Sequence, residues 1–349
     1  MKSLRRKMLL TILAPILALL STMIVIIYLN LDQSISRMVD DYAGRVVEQS
    51  ANVMSEWING IMKEVQLFSE RVVVRNALKT GDWKDLMETD LKARLATRPY
   101  YEMFFIAYPD GSAPTTLGNI INVADRDYFI KIMKQNYSLV VSDALVSKAT
   151  SKNIFVVAAA VKDEGKTIGV FAAAILLDTI DQILQQAKLT KGTLVWVCDS
   201  SGMIVADTLN KYALKLNIKE ASKMGFSDLE KFAPKILSGE SGQFKAKMSD
   251  GSIIFNHYNP IKAVKGWAFG VMIPEKEATT DVDRLLMIVL IIFAILAALI
   301  VLIIFFISGT ISKPIKSLAD RALTFGKGDL TVKFEAKGRD EVAQMAQSL

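Results

Sequence analysis

The chain has 349 residues, 51% of them hydrophobic, with 42 Lys+Arg against 36 Asp+Glu and a net charge of +6. Its mean hydropathy of +0.30 is high for a water-soluble domain, and the excess sits in two uncharged runs, residues 8–29 and 285–307. Each is long enough to cross a hydrocarbon core about 30 Å thick as a helix, which excludes an ordinary cytosolic enzyme, a disordered chain and a small disulfide scaffold.

The two runs also divide the charge. Residues 1–7 carry Lys2, Arg5, Arg6 and Lys7; residues 30–284 carry 31 basic and 31 acidic residues; residues 308–349 carry 7 basic and 5 acidic residues. Basic residues stay on the cytoplasmic side of membrane spans. The pattern therefore predicts a two-pass cell (inner) membrane protein with both termini cytoplasmic and residues 30–284 outside the cytoplasm. The first run is read as an uncleaved anchor: it is longer than the apolar region of about 7–15 residues in a signal peptide, and no small-x-small site follows it. Pro15 kinks this helix mildly. Topology accounts for the basic balance, and no nucleic-acid partner is expected. Cys198 is the lone cysteine, so no intramolecular disulfide forms. His257 is the lone histidine; it leaves no His/His or His/Cys metal pair and is read as a structural strand residue. Gly-x-Ser-x-Gly, a Walker loop and His-Glu-x-x-His are absent. No catalytic residue, cofactor or metal is expected, and the chain is not read as an enzyme.

Residues 31–80 contain no proline, and Met54, Ile58, Ile61, Val65, Phe68 and Val72 recur at spacings of 4 and 3. This is one apolar stripe on a long helix. It packs on the domain's own sheets, and a second face near the membrane is expected to form a dimer seam. Beyond Pro99 the period changes. Residues 103–108 form a buried-strand run closed by the turn Pro109-Asp110-Gly111-Ser112. Residues 127–134 form a short amphipathic helix with Asp127 read as its N-cap. Residues 153–161 and 167–175 are strands joined by a polar turn, and residues 177–188 are helical. The pattern then returns: a strand at 193–198, the turn Asp199-Ser200-Ser201-Gly202, and strands at 252–258 and 267–272. Strand plus turn and hairpin occur twice, which reads as two α+β modules in tandem: a membrane-distal one at 100–176 and a membrane-proximal one at 193–273.

This layout resembles the double-Cache (dCache) sensors of bacterial transmembrane receptors. The likeness covers residues 30–284, and its most specific pieces are Asp125-Arg126-Asp127-Tyr128-Phe129, Val141-Ser142-Asp143 and the hairpin strand at 157–161. After the second apolar run, Ile311, Ile315, Leu318, Ala322 and Phe325 make a coiled-coil seam with Pro314 early in it. Gly326-Lys327-Gly328-Asp329-Leu330 breaks the seam, and Asp340-Glu341 starts a second helix with Val342, Met345 and Leu349 in phase. This segment, residues 308–349, is similar to a HAMP linker stopped in mid-helix. HAMP linkers form parallel four-helix bundles in dimers, which implies a homodimer. The fold class is thus a membrane protein of α+β type: two transmembrane helices flank a tandem PAS-like domain with a long N-terminal helix, followed by a HAMP coil.

The resemblance implies a transmembrane chemoreceptor of the methyl-accepting chemotaxis type. It would bind a small extracytoplasmic molecule in the distal module and signal to cytoplasmic proteins through an output domain beyond Leu349. Two alternatives are the sensor half of a histidine kinase or diguanylate cyclase/phosphodiesterase, and a membrane-anchored adhesion or scaffold protein whose distal pocket is sealed by side chains. In amino-acid-binding relatives an Arg-x-aromatic pair holds the ligand carboxylate and an Asp holds its ammonium. Arg126 and Tyr128 match the pair; Ala174 stands where the Asp would be, and Leu145 near an expected second Tyr. Asp143 is the candidate substitute, Ser142 adjoins it, and Ser147 and Lys148 lie in a polar loop that covers the pocket. A carboxylate or amino-acid-like ligand is the expected class.

Overall fold

The computed structural model describes residues 11, 14–248, 251–307, 309, 313–329, 331–334 and 341–348. They divide into two compact units, one of residues 37–278 and one formed by residues 1–36 with 279–349.

In the first of these units, residues 37–69 of helix α1 (Ala14–Ser69) supply the predicted stripe. Met54, Ile58, Ile61 and Val65 are buried, and Ala43, Val47 and Ala51 continue the stripe toward the N-terminus. The helix does not run to residue 80. It stops at Ser69, whose hydroxyl donates to Gln66 O at 2.7 Å, and Arg71 is extended before α2 (Val72–Thr80) begins. The break takes Val72 off the stripe and leaves it 63% exposed. Gly81 ends α2 in the left-handed conformation at φ 79°, its N–H returning to Ala77 O. A π-helical turn (Leu86–Leu91) and α3 (Lys92–Thr97) follow.

The first module is an antiparallel sheet in the order β1 (Tyr101–Ala107), β7 (Lys166–Leu176), β6 (Asn153–Asp163), β4 (Leu139–Val141), with β5 (Leu145–Val146) also on β6. The β6–β7 hairpin turns at Glu164 and Gly165, both at positive φ (47° and 82°), the combination a two-residue hairpin favours. A small ribbon, β2 (Ser112–Pro114) with β3 (Ile120–Asn122), leads into α4 (Asp127–Gln135). Phe104, Phe155, Phe171 and Ala173 point toward the long helix, whereas Met103, Phe105, Ile154, Val156 and Ala174 form the core under α4.

A 3-10 turn (Leu177–Ile180) and α5 (Asp181–Gln186) connect to the second module. Its sheet has the order β10 (Gly242–Lys247), β11 (Ile253–Pro260), β12 (Ala268–Pro274), β8 (Leu194–Cys198), β9 (Ile204–Asp207), all antiparallel. One face, with Val197, Phe255, Phe269 and Val271, joins the same apolar cluster as the long helix and the first sheet. The other, with Trp196, Ile254, Tyr258 and Met272, lies under a 3-10 segment (Ile218–Met224) and α6 (Ser227–Ser238). The chain thus carries two five-stranded antiparallel sheets, and in the second of them β9 and β10, with α6 beside it, are additions to the predicted elements.

In the other unit, α7 (Glu275–Ile307) contains the apolar stretch Arg284–Ile307, with mean hydropathy 3.7. Among the described residues this is the one helix long and apolar enough to cross a membrane; Ala14–Ile27 is a shorter apolar helix. Residues 8–10 and 12–13 of the first predicted span lie outside the described residues, so the two-span expectation is met in part. Two further helices follow, α8 (Lys313–Gly326) and α9 (Glu341–Ser348). Of the seam positions, Leu318 is buried and Ile315 and Phe325 are partly exposed, while Ile311, Leu330, Asp340 and Leu349 lie outside the described residues. Among the described side chains of α9 the buried ones are Ala343 and Ala346, whereas the predicted Met345 is 58% exposed and the side chain of Val342 lies outside the described residues. The small alanines sit on the inner face of the single chain, and the larger side chain faces out.

Candidate functional site

The Asp110-Gly111 turn sets the start of the site. Gly111 has φ 86°, and a Cβ on it would stand 2.5 Å from Ala124 Cβ. Only glycine allows this approach, and Val123 N–H then bonds to Gly111 O at 2.8 Å. The turn holds the 122–126 segment against the sheet. Arg126 is extended (φ −82°, ψ 135°) and precedes α4 without a side-chain cap. Asp127 is the first helical residue and pairs with Lys131 at 2.6 Å, so it supports the helix through an i,i+4 ion pair and is not the N-cap expected from sequence.

Beneath α4 lies a cavity of about 10 Å³, lined by Met103, Phe105, Ile121, Val123, Arg126, Tyr128, Leu145, Lys148, Ile154 and Val156. That is room for about one water molecule at most. Three polar contacts bridge its rim. Arg126 Nη2 donates to Val146 O at 2.8 Å, and Lys148 Nζ donates to Asn122 O at 2.9 Å and to Asp125 Oδ1 at 2.6 Å. The Lys148 hydrogen bond holds the Asp125 carboxyl below its ordinary range. Tyr128 is buried, and desolvation pushes its phenol well up, so it is a neutral hydroxyl at any ordinary pH.

Of the six residues proposed from sequence, Arg126, Tyr128 and Lys148 come together on this cavity. Ser142, Asp143 and Ser147 do not line it. Ser142 Oγ donates to Asp143 O at 2.8 Å and accepts from Val156 N–H at 2.9 Å, which holds the end of β4 on β6. Asp143 is engaged by Ser200 of the second module. Ser147 Oγ donates to Glu102 Oε2 at 2.8 Å, and the Thr150 hydroxyl donates to the same carboxylate. Glu102 anchors the 147–150 loop and was not singled out from sequence. Its signal was there: one acid in an otherwise apolar strand. Leu145 lines the cavity at the place where a second Tyr was expected. Ala174 pairs across β7 with both Met103 and Val156, which line the cavity. Directly paired residues of antiparallel strands share a face, so the Ala174 methyl lies on the same face as these two side chains.

Such a chain, with paired α+β modules on one long helix and an apolar helix leading to a short helical pair, defines a sensor-type architecture. The chain belongs to the Cache-domain family: the Cache domain model (dCache_1) matches residues 31–282, and the HAMP domain matches residues 306–349. It is similar to the methyl-accepting chemotaxis protein McpB of Bacillus subtilis (strain 168), at 26% identity over 226 residues, covering 64% of this chain and 31% of that protein. It is also similar to McpA of the same organism, at 20% identity over 353 residues, covering 99% of this chain and 50% of that protein. The chain therefore spans half or less of the length of these relatives. Among solved structures, the ligand-binding domain of the Pseudomonas fluorescens chemoreceptor CtaA in complex with L-isoleucine has a TM-score of 0.53 at 16% identity, covering 71% of this chain and 97% of that one. That likeness is one of fold.

Proposed function

We propose that this chain is the sensory part of a methyl-accepting chemotaxis receptor. The carrying observation is the order of parts along one chain, an apolar N-terminal helix, a Cache domain, an apolar helix of membrane length and a HAMP domain, in a chain whose curated relatives are methyl-accepting chemotaxis proteins. In this reading residues 8–29 and 285–307 both span the membrane and the termini are cytoplasmic. Residues 30–284 face outward, divided into the long helix, a membrane-distal module at 100–176 and a membrane-proximal module at 193–273. The protein is a homodimer whose HAMP segment, 308–349, passes the signal to cytoplasmic proteins through a signalling domain. A small molecule binds the first-module cavity at Arg126, Tyr128 and Lys148, with Ser142, Asp143 and Ser147 shaping the loop over it. Binding must favour one arrangement of the domain over another to move the second span, a shift on the order of 1–2 Å.

The test is a hybrid receptor: this chain joined after its HAMP segment to the signalling part of McpB, in cells lacking their own chemoreceptors. The expected result is a graded swimming response to some fraction of a metabolite library. A hybrid that inserts and localises correctly yet leaves swimming unchanged for every fraction overturns the reading.

One observation favours a second reading, a membrane-anchored adhesion or scaffold protein without ligand: the cavity of about 10 Å³ is nearly filled by side chains. The two readings separate on whether any small molecule stabilises the folded chain.

A further inference from the structure

We propose that a groove between the long helix and α3 binds a small aromatic carboxylate. It lies on the opposite face of β1 from the cavity beneath α4: Phe104 packs on this side, against Phe68 of α1, whereas Met103 and Phe105 belong to the core under α4. Its volume is about 480 Å³, within the range of about 300–1,000 Å³ typical of small-molecule sites. Trp57, Ile61 and Phe68 of α1 line one side. Arg94 of α3, with Arg98 and Tyr100 just beyond it, lines the other.

The walls are aromatic and held from behind. Trp57 meets Tyr100 edge to face, with ring centroids 5.8 Å apart and planes at 75°, and meets the buried Phe155 at 6.1 Å. Phe68 stacks on the buried Phe171 at 5.4 Å. Trp57, Phe68 and Tyr100 are themselves only half-buried, so fixed rings offer faces and edges to a flat hydrocarbon. Gly60 lines the same groove from an exposed position inside α1. Glycine inside a helix costs stability relative to alanine, and a Cβ here would meet nothing within 4 Å. No contact within the chain excludes a side chain at this position, and its absence leaves the groove open along α1.

The unspent polar groups of the groove are donors. Glu64 is saturated: Oε1 accepts from Arg94 Nε at 2.6 Å, and Oε2 accepts from Arg98 and from the Tyr101 hydroxyl at 3.0 Å. Arg94 uses only Nε in this way, which leaves both terminal nitrogens without a hydrogen bond among the described residues. Arg98 engages only Nη1, shared between Glu64 and the Tyr100 hydroxyl at 2.9 Å. The Tyr100 hydroxyl proton and the Trp57 indole N–H are likewise unused among the described residues. With Lys63, the lining holds three cations against the carboxylates of Glu56 and Glu64, an excess of one positive charge. A carboxylate answers both conditions: it supplies the missing negative charge, and its two oxygens can accept in parallel from one guanidinium. An ammonium would add to the excess charge and find Glu64 already occupied.

The experiment uses the full chain in lipid nanodiscs, labelled with 5-fluorotryptophan and read by fluorine NMR. Trp57→Phe assigns the Trp57 signal among the four tryptophans. The probes are benzoate, 3-phenylpropanoate and indole-3-acetate, with benzamide, benzylamine and cyclohexanecarboxylate as controls for charge and ring. At least one aromatic carboxylate is expected to move the Trp57 signal saturably, with the matched amide and amine at least tenfold weaker and cyclohexanecarboxylate weaker than benzoate. Arg94→Gln is expected to weaken binding about tenfold. Because Arg94 also holds Glu64, Gly60→Phe is measured beside it: it fills the groove from an unobstructed, exposed position and is expected to abolish the shift while the chain stays folded. The proposal is overturned if no aromatic carboxylate moves Trp57 in the folded chain, if the amide or amine binds as tightly, or if binding is indifferent to both variants. Spontaneous cross-linking of two copies through Gly60→Cys would show the groove covered by a second chain and would also overturn it. No tryptophan lines the cavity beneath α4, so the receptor reading is tested separately and survives the loss of this site.

Discussion

Asp143 of the first module accepts hydrogen bonds from both the backbone N–H and the hydroxyl of Ser200 in the second module, at 2.9 and 2.7 Å. The exchange is mutual: Asp199, one residue earlier, accepts from Ala144 N–H at 3.1 Å. Burial is the main cause of a raised Asp199 carboxyl pKa; the Ser201 hydroxyl opposes it, and the nearby Asp143 charge adds to it. Leu145, the next residue along, lines the cavity. The segment that lines the cavity is therefore continuous with the joint between the modules.

The joint gives the first prediction. Asp143→Ala removes two acceptors from partly exposed donors and should cost about 1 kcal/mol of stability. Combined with Ser200→Ala, the loss should fall short of the sum, by about 0.5 kcal/mol or more, as expected for directly bonded residues. Amide exchange at Ala144 and Ser200 should accelerate in Asp143→Ala. Strict additivity and unchanged exchange would show that the two lobes are held by the shared apolar cluster alone.

The second prediction concerns the long helix. Glu64, on α1, is 8% exposed. It accepts from Arg94 Nε at 2.6 Å, from Arg98, and from the Tyr101 hydroxyl at 3.0 Å, so one carboxylate fastens α1 to α3 and β1. Glu64→Gln keeps the shape and loses the charge; it should destabilise by about 1–3 kcal/mol. The cost stays below that of a fully buried pair because both arginines are more than a third exposed and can turn to water. A melting curve unchanged by Glu64→Gln would make the cluster ornamental.

The modules and the site were unequally legible in sequence. Strands β1, β6, β7, β8, β11 and β12 are dense apolar runs, which the period-2 and turn signals reveal. Strand β10 (Gly242–Lys247) is an edge strand that buries only Phe244 and Ala246, so its apolar content is too thin to stand out. The break at Glu70-Arg71 has no proline or glycine to announce it; sheet packing of α2 decides it. Arg126, Tyr128 and Lys148 line one cavity, each held by a local turn or helix. Asp143 went elsewhere because Ser200, far along the chain, competes for it, and no local pattern records such a partner.

The third prediction tests a close approach in the second sheet. A Cβ on Gly270 would stand 2.1 Å from Trp196 Cζ2, because the indole lies flat across its cross-strand neighbour. Trp196 is fully buried and has no room to retreat. Gly270→Ala should cost about 1–3 kcal/mol through overpacking. Trp196→Leu alone should also destabilise, by cavity formation, but the double variant should be more stable than the two losses predict. Equal stability of Gly270→Ala and wild type would mean that the indole lies elsewhere.

The last prediction is a pH dependence assigned to a single group. His257 lies on β11 with its side chain 3% exposed and its Nε2 3.3 Å from Asp40 Oδ1 on the long helix. Desolvation is the larger influence and lowers its pKa from the ordinary 6.5; the Asp40 charge and hydrogen bond offset part of that. The folded protein therefore holds the neutral imidazole more firmly than the unfolded chain does. The stability this confers is complete above about pH 6.5 and is lost as the pH falls from there through the folded-state pKa, since the unfolded chain binds the proton first. Asp199 acts in the opposite sense, its raised pKa adding relative stability as the pH falls, so the histidine contribution must be read as a difference between variants. Melting temperatures of wild type and His257→Gln should run parallel from pH 8 to 7 and diverge below about 6.5, with the wild type losing stability faster. Asp40→Asn removes the one attraction that favours the charged ring and should steepen the acid loss further. As the only histidine in the chain, His257 can be titrated by NMR without ambiguity, and a midpoint at or above 6.5 in the folded protein would reverse the sign of this argument.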